Sequence, residues 1–213
     1  MKIKYLAHAA FLITSEKGTR IITDPYETSG GLKHEAIKET ADIVTISHEH
    51  GDHNNVSAVM GKPKIVKASE EVKGISFKAV ATAHDDKGGS QRGKNTIFCF
   101  NIDGINVCHA GDLGHELSAD QVKAIGKVDV LLIPVGGFFT VDAVTATKVC
   151  DQLKPKVIIP MHFKTAKLSF PISDVEPFLK DKGNVIRSKE SLIELKAGKL
   201  PSLTQVIVLK QSL

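Results

Sequence analysis

Short runs of β-branched and aliphatic residues recur along the chain, each closed by glycine, proline, aspartate or asparagine, a pattern of strands and tight turns. Met1–Leu6 moves at once into a strand-like segment. Phe11–Thr14 and Arg20–Thr23, separated by a turn at Gly18, predict an antiparallel pair that ends at Asp24-Pro25. Ile43–Ser47 predicts a buried strand, followed by strands at Lys64–Val66 and Ile75–Val80. Thr96–Asn101 and Ile105–Ala110 predict a hairpin across Asp103-Gly104, and Val130–Ile133 and Val157–Ile159 predict two further buried strands.

Helical signals come later in the chain. Ser118-Ala119-Asp120-Gln121 is a capping box that opens a short helix. A second helix is expected from about Val141 to Leu153 with Thr140 as N-cap. Ser173-Asp174-Val175-Glu176 is a second capping box, predicting a helix that ends near Gly183. Strands in both halves, with helices mainly after residue 115, define a layered α/β domain spanning residues 1–213 with no linker. Lys62-Pro63-Lys64-Ile65-Val66 is echoed by Lys154-Pro155-Lys156-Val157-Ile158, either a duplicated architecture or coincidence.

Composition narrows the picture only a little. With 213 residues, 42% hydrophobic and 24% charged, the chain can bury a continuous core. A net charge of +4 is too small and dispersed to argue for nucleic acid, but it is compatible with an anionic small-molecule substrate. Cys99, Cys108 and Cys150 stand at no metal-ligand spacing and fit a reducing compartment. No leader pattern or run of roughly 18 to 20 apolar residues is present. The expectation is a soluble, cytoplasmic protein with no membrane partner; a homo-oligomer stays open.

The chemistry centres on His48-Glu49-His50-Gly51-Asp52-His53, immediately after the strand at 43–47. Strand alternation would put His48 and His50 on one side and Glu49 on the other, and Gly51 would let Asp52 and His53 swing round. The competing reading is an exposed His-rich turn. Other apolar runs also end in ligand-type residues, at His84, Asp112 and His162. Seven candidates exceed the needs of one tetrahedral ion. They divide into His48, His50 and His84 for one ion and Asp52, His53 and His162 for another, with Asp112 bridging. Two divalent ions about 3.5–4 Å apart can share a hydroxide and polarise a substrate oxygen, which supports hydrolysis.

The motif, with His84, Gly111-Asp112 and His162, resembles the metallo-β-lactamase superfamily. Leu6–Ile13, Thr23–Tyr26, Pro134–Gly137 and Pro160–Phe163 further resemble its small zinc-dependent hydrolase-like branch, which includes L-ascorbate-6-phosphate lactonase. The resemblance implies a four-layer αββα sandwich, a binuclear site holding Zn2+ with Mn2+, Ni2+ or Fe as alternatives, and a metal-bound hydroxide attacking an ester, lactone or phosphodiester. It implies that Asp52 helps orient the nucleophile. Asp112, where true β-lactamases usually carry Cys or another residue, argues against antibiotic hydrolysis. His50, where flavodiiron relatives have Glu, disfavours a di-iron oxygen site. An iron redox protein and a non-catalytic metal- or small-molecule-binding module are the alternatives.

Further residues carry two readings each. His115, in a turn beyond Asp112, can donate a proton to a leaving group or simply fill that turn. His8 is a substrate contact, a partner of a metal ligand, or structural. Asp24 supports a metal-bound imidazole or initiates a turn. Lys164 faces an anionic substrate or solvent. His109 reads as structural, and His34 and Glu49 as exposed. Gly88 through Lys94 nearly spell a phosphate-binding P-loop, but Asn95 stands where the magnesium-binding hydroxyl belongs and a strand follows, which predicts that residues 85–95 are instead a mobile loop beside the site. Loops 24–34 and 85–95 are expected to line the pocket.

Overall fold

The computed structural model describes residues 1–213. Its strands are β1 (Lys2–Ala7), β2 (Ala10–Thr14), β3 (Arg20–Thr23), β4 (Ile43–Thr45), β5 (Lys64–Val66), β6 (Glu70–Val72), β7 (Ile75–Ala83), β8 (Lys94–Ile102) and β9 (Ile105–His109). After helix α1 (Ala119–Ile125) come β10 (Val130–Pro134), α2 (Ala143–Leu153), β11 (Val157–Met161), α3 (Glu176–Leu179), β12 (Val185–Arg187), β13 (Leu192–Glu194) and β14 (Gln205–Val208). They form a six-stranded sheet, β13-β1-β2-β3-β4-β5, and an eight-stranded sheet, β12-β14-β11-β10-β9-β8-β7-β6.

Side-chain alternation in the first sheet decides which face each residue serves. Ile3, Tyr5, Phe11, Ile13, Ile21 and Ile43 join the large core shared with the second sheet. Their neighbours Leu6, Ala10, Leu12, Ile22 and Val44 point the other way, into a smaller core closed by Tyr26, Leu32, Ile37 and Val59. The outer layer of the first sheet is therefore the irregular segment before β4 and a 3₁₀ turn at Val56–Ala58, while α1 and α2 pack on the second sheet. β10 and β11 pair in parallel and are buried along their whole length, as strands covered on both faces must be. Each fully buried aliphatic or aromatic side chain in these cores contributes about 1.5–3 kcal/mol.

The predicted hairpins stand, with β2 on β3 and β8 on β9 across Asp103-Gly104. The two Lys-Pro-Lys segments both lead into the second strand of a parallel pair, β4–β5 and β10–β11, but β5 is an edge strand and β11 an inner one. The Ser118 capping box forms with Gln121 as expected.

Two helix starts differ from expectation. Asp142, not Thr140, caps α2: its Oδ1 accepts from the Thr145 N–H at 2.8 Å, and a carboxylate there also complements the helix dipole. Ser173 caps nothing, because its backbone pairs with Gly136 and Lys164. Asp174 Oδ1 instead accepts from the Glu176 N–H at 2.9 Å, and α3 is only four residues long, stopping at Leu179 rather than near Gly183.

Candidate metal centre

Six chain segments leave their strands at one edge of the sandwich and bring their ligand-type residues together. His8 follows β1, Asp24 follows β3, the 48–53 segment follows β4, His84 follows β7, Asp112 follows β9 and His162 follows β11. The turns are sharp. His8, Asp24 and His162 take positive φ values of 56°, 37° and 50°, sparsely populated conformations that a surrounding structure must impose. The His162 N–H donates to the His8 carbonyl at 3.0 Å, tying the two sheets together.

Asp112 occupies the middle of this cup. Its Oδ2 lies 3.1 Å from His84 Nε2, 3.2 Å from His53 Nε2, 3.4 Å from His162 Nε2 and 4.0 Å from His48 Nε2. Asn95 holds it there: Asn95 Oδ1 accepts from the Asp112 N–H at 2.9 Å, while its amide donates to Thr82 Oγ1 and to the Ala110 carbonyl. Gly111 is required at the turn, since with φ of 55° a Cβ would stand 2.4 Å from Asn95 Oδ1.

Two donor groups flank this carboxylate. In one, His48, His50 and His84 bring their ligand atoms within 4.8 Å of one another; in the other, His8, Asp52, His53 and His162 do the same. The seven residues singled out from the sequence are thus all brought together, with His8 beside Asp52, His53 and His162, and Asp24, His48 and His53 form a third such group. His8 Nε2 lies 3.1 Å from Asp52 Oδ2. Glu49 turns outward to Lys67, as expected, although β4 ends at Thr45 and irregular backbone, not strand alternation, pairs His48 with His50.

A further shell fixes the imidazoles. Asp24 Oδ2 accepts from His53 Nδ1–H at 2.9 Å, and its Oδ1 accepts from the Ser47 N–H at 2.8 Å. The Ser47 hydroxyl donates to Asp24 and accepts from His48 Nδ1–H at 2.9 Å. Both rings are held by Nδ1, which leaves Nε2 facing the cup.

The electrostatics fit a cation. Burial, together with the neighbouring His162, pushes His8 down to about 3, and burial together with His53 does the same to His48, so both rings are neutral. Burial works against charge on Asp112 and on Asp52, yet the surrounding imidazoles hold both carboxylates below the usual range. Burial likewise opposes a proton on His53, but Asp112 and Asp52 raise it well above the ordinary histidine value. That proton stands where a metal ion would otherwise balance buried Asp112 and half-buried Asp52. Buried His53 Nε2 and Asp112 Oδ1 have no hydrogen-bond partner, the condition of atoms aimed at an ion.

Several expectations are corrected here. His115 does not reach the cup: its Nε2 accepts from the Ala83 N–H at 3.1 Å and its Nδ1 bonds the Glu116 carbonyl at 2.8 Å, so both nitrogens tie down a turn and neither can serve a leaving group. Lys164 donates to the Phe170 carbonyl and lines no part of the cleft. His34 is buried against Tyr26, not exposed, with Nδ1 3.3 Å from the Leu213 carbonyl. His109 is structural as expected, its Nε2 on the Ala9 carbonyl and its Nδ1 accepting from Gly111.

The cleft over the cup measures about 300 Å³ and is walled by Gln91, Arg92, Phe139 and Phe170. None of these was singled out from the sequence. Loop 24–34 contributes nothing to it. Loop 85–93 does, but it is pinned rather than mobile: Asp85 Oδ1 accepts from the N–H groups of Lys87 and Gly89, and Oδ2 from those of Gln91 and Arg92, all at 2.7–2.9 Å. Strand β8 follows it directly, so no phosphate-binding P-loop exists here. An Asp followed at short spacing by two glycines was the available signal for such a turn.

A two-sheet sandwich whose strand ends converge on a buried His/Asp cup defines the class of metal-dependent hydrolases with the metallo-β-lactamase fold. Residues 2–162 match the β-lactamase superfamily domain, and the chain belongs to that superfamily. Among its relatives is the UPF0173 metal-dependent hydrolase of Thermococcus onnurineus (strain NA1), 30% identical over 95% of this chain and 100% of the relative. The corresponding protein of Nanoarchaeum equitans (strain Kin4-M) is 32% identical over 84% of this chain and 89% of its own. A crystal structure from Thermotoga maritima, assigned as a Zn-dependent hydrolase of the metallo-β-lactamase superfamily, superposes with a TM-score of 0.80 at 38% identity, covering 98% of this chain and 97% of that one. No helix is long and apolar enough to cross a membrane.

Proposed function

We propose that this metal-dependent hydrolase is binuclear and acts on an ester, lactone or phosphodiester. The observation that carries the reading is Asp112 Oδ2, within 3.1–4.0 Å of four imidazole nitrogens from three separate segments. His48, His50 and His84 would hold one ion and Asp52, His53 and His162 the other, with Asp112 within reach of both groups. Zinc suits this nitrogen-rich donor set best, with Mn2+, Ni2+ or Fe as substitutes. Bound ions of this kind supply an acidified water as nucleophile and a Lewis acid for the oxyanion that develops.

The chain's own groups do the rest. Asp24 and Ser47 hold His53 and His48 in one tautomer, so that the ligand set is preorganised. Asp52, kept ionised by His53 and His8, can accept a hydrogen bond from a water in the cleft and orient it. Phe139 and Phe170 exclude solvent from one side, which strengthens every charge interaction within.

The test is metal counting on purified protein beside a panel of esters, lactones and phosphodiesters. Two ions per wild-type chain and turnover of at least one substrate are expected, with both reduced in His48→Ala and Asp112→Ala. Full metal and full activity in both variants would overturn the reading. A zinc-loaded protein is colourless, so visible absorbance that follows turnover would instead favour iron redox chemistry.

A further inference from the structure

Arg92 is the only lysine or arginine that lines the cleft over the cup. Its guanidinium pairs with no carboxylate and donates no hydrogen bond to the protein; it lies over the Phe139 ring, 5.6 Å from the centroid. Free cations of this length usually disperse into solvent. This one is held from below, because its own backbone N–H is the last of the four that grip Asp85. Phe139 in turn packs edge-on against Phe170 at 5.5 Å, so the guanidinium rests on a two-ring apolar wall facing the metal ligands. Arginine lying on an aromatic face keeps its donor fork directed outward, the arrangement that grips carboxylate or phosphate oxygens in pairs.

The other basic groups nearby are otherwise occupied or elsewhere. Lys67 pairs with Glu49 at 2.7 Å, Lys164 donates to the Phe170 carbonyl, and Lys94 borders a second cleft behind His48 and His50. Arg92 stands on the ridge between that cleft and the cup, since it borders both.

We propose that Arg92 is an anion subsite, and that the substrate carries a carboxylate or phosphate group beside an apolar part that lies on Phe139 and Phe170. The anionic group on the guanidinium and the apolar part on the rings would leave the scissile bond over Asp112. That last placement rests on the hydrolase reading above; the binding of the anion does not.

The experiment uses the zinc-loaded protein and non-hydrolysable probes of one shape: phenylacetate, benzylphosphonate and the neutral phenylacetamide, each titrated calorimetrically. A charge-assisted bond predicts that wild type takes at least one anion about tenfold or more tighter than the amide. Arg92→Ala should remove that preference while still binding the amide, Arg92→Lys should keep part of it, and Phe139→Ala should weaken all three probes together. Whichever anion binds tighter identifies the group as carboxylate or phosphoryl. A preference that survives in Arg92→Ala overturns the proposal. So does equal binding of all three probes by wild type, or a wild-type preference that vanishes on chelation, which would locate the anion on the metals. Failure of the hydrolase reading shows separately, as absence of turnover across the ester, lactone and phosphodiester panel.

Discussion

Asp24 Oδ2 lies 2.9 Å from His53 Nδ1, and neither side chain is accessible to solvent. The carboxylate also takes the Ser47 N–H and hydroxyl, so one buried acid orients both His53 and, through Ser47, His48. Asp24→Asn keeps the shape but loses charge and one acceptor. It should lower zinc affinity by about 10- to 100-fold, the usual effect of losing an outer-shell partner, as measured by competition with a chromophoric chelator. Asp24→Ala leaves buried donors unpaired and should also destabilise the fold by about 3–5 kcal/mol in chemical denaturation. Unchanged zinc affinity in Asp24→Asn would make Asp24 a turn residue and nothing more.

His8 bears on the second donor set only. It lies 3.1 Å from Asp52, and its ring is 4.1 Å from that of His162. On the binuclear reading proposed above, His8→Ala should therefore weaken an ion at Asp52, His53 and His162 while leaving one at His48, His50 and His84. At limiting zinc the variant should bind close to one ion per chain, read by elemental analysis after desalting. Equal loss of both ions would mean that His8 supports the cup as a whole.

Much of this site was legible because its ligands terminate apolar runs. His162 follows a strand buried throughout, Asp112 one buried at four of five positions and His84 one that alternates between buried and exposed residues, and a polar ligand type at such a boundary is conspicuous. The cleft walls had no such mark. Phe139 and Phe170 look like any core aromatic, and Arg92 like any loop cation, until tertiary closure sets them against one another. The same holds for the fold. Hydrophobic runs located most inner strands, but β12 and β13 are three residues long, with lysine, serine and glutamate around them, and acquire strand character only by adding to sheets already built, while the short inner strand β14 carries its own Val206-Ile207-Val208 run. His115 misled because sequence proximity to Asp112 says nothing of direction: its ring turns back to the Ala83 amide.

Gly114 is a place where a single methyl group should reach the metal centre. A Cβ there would stand 2.2 Å from the Asp85 nitrogen and 2.4 Å from the His84 carbonyl carbon, both rigid backbone. The Gly114 N–H also donates to the Ala83 carbonyl at 2.9 Å, so the two chains cannot separate without losing that bond. Gly114→Ala should cost about 1–3 kcal/mol or more in thermal or chemical unfolding and displace His84, lowering zinc occupancy. Gly88→Ala is the matched comparison, since nothing lies within 4 Å of its Cβ position, although its φ of 67° carries some strain of its own. The first substitution should be much the more damaging, both to stability and to zinc binding.

Asp85 ties acidity to the shape of the cleft. Burial alone would raise its pKa, but four backbone N–H groups from Arg92, Gly89, Lys87 and Gln91 hold it below the ordinary 3.8. For a carboxyl whose folded value is depressed, the stabilisation is fully present above the unfolded value, about pH 4, and is lost as pH falls through the folded value. Asp85→Asn removes the charge at every pH and replaces one acceptor oxygen with a donor, so two of the four N–H groups lose their partner. The stability difference between wild type and Asp85→Asn should be constant from about pH 5 upward and should shrink as pH falls below about 4, where the unfolded wild-type chain takes up a proton that the folded one still excludes. Because other carboxylates titrate in both proteins, the difference and not either curve is the quantity to read. In hydrogen exchange near neutral pH the amides of Gln91 and Arg92 should open faster in the variant than those of β8, and the preference of the cleft for anionic over neutral probes should fall with them. A difference that grows on acidification would show that the four bonds do not hold the loop.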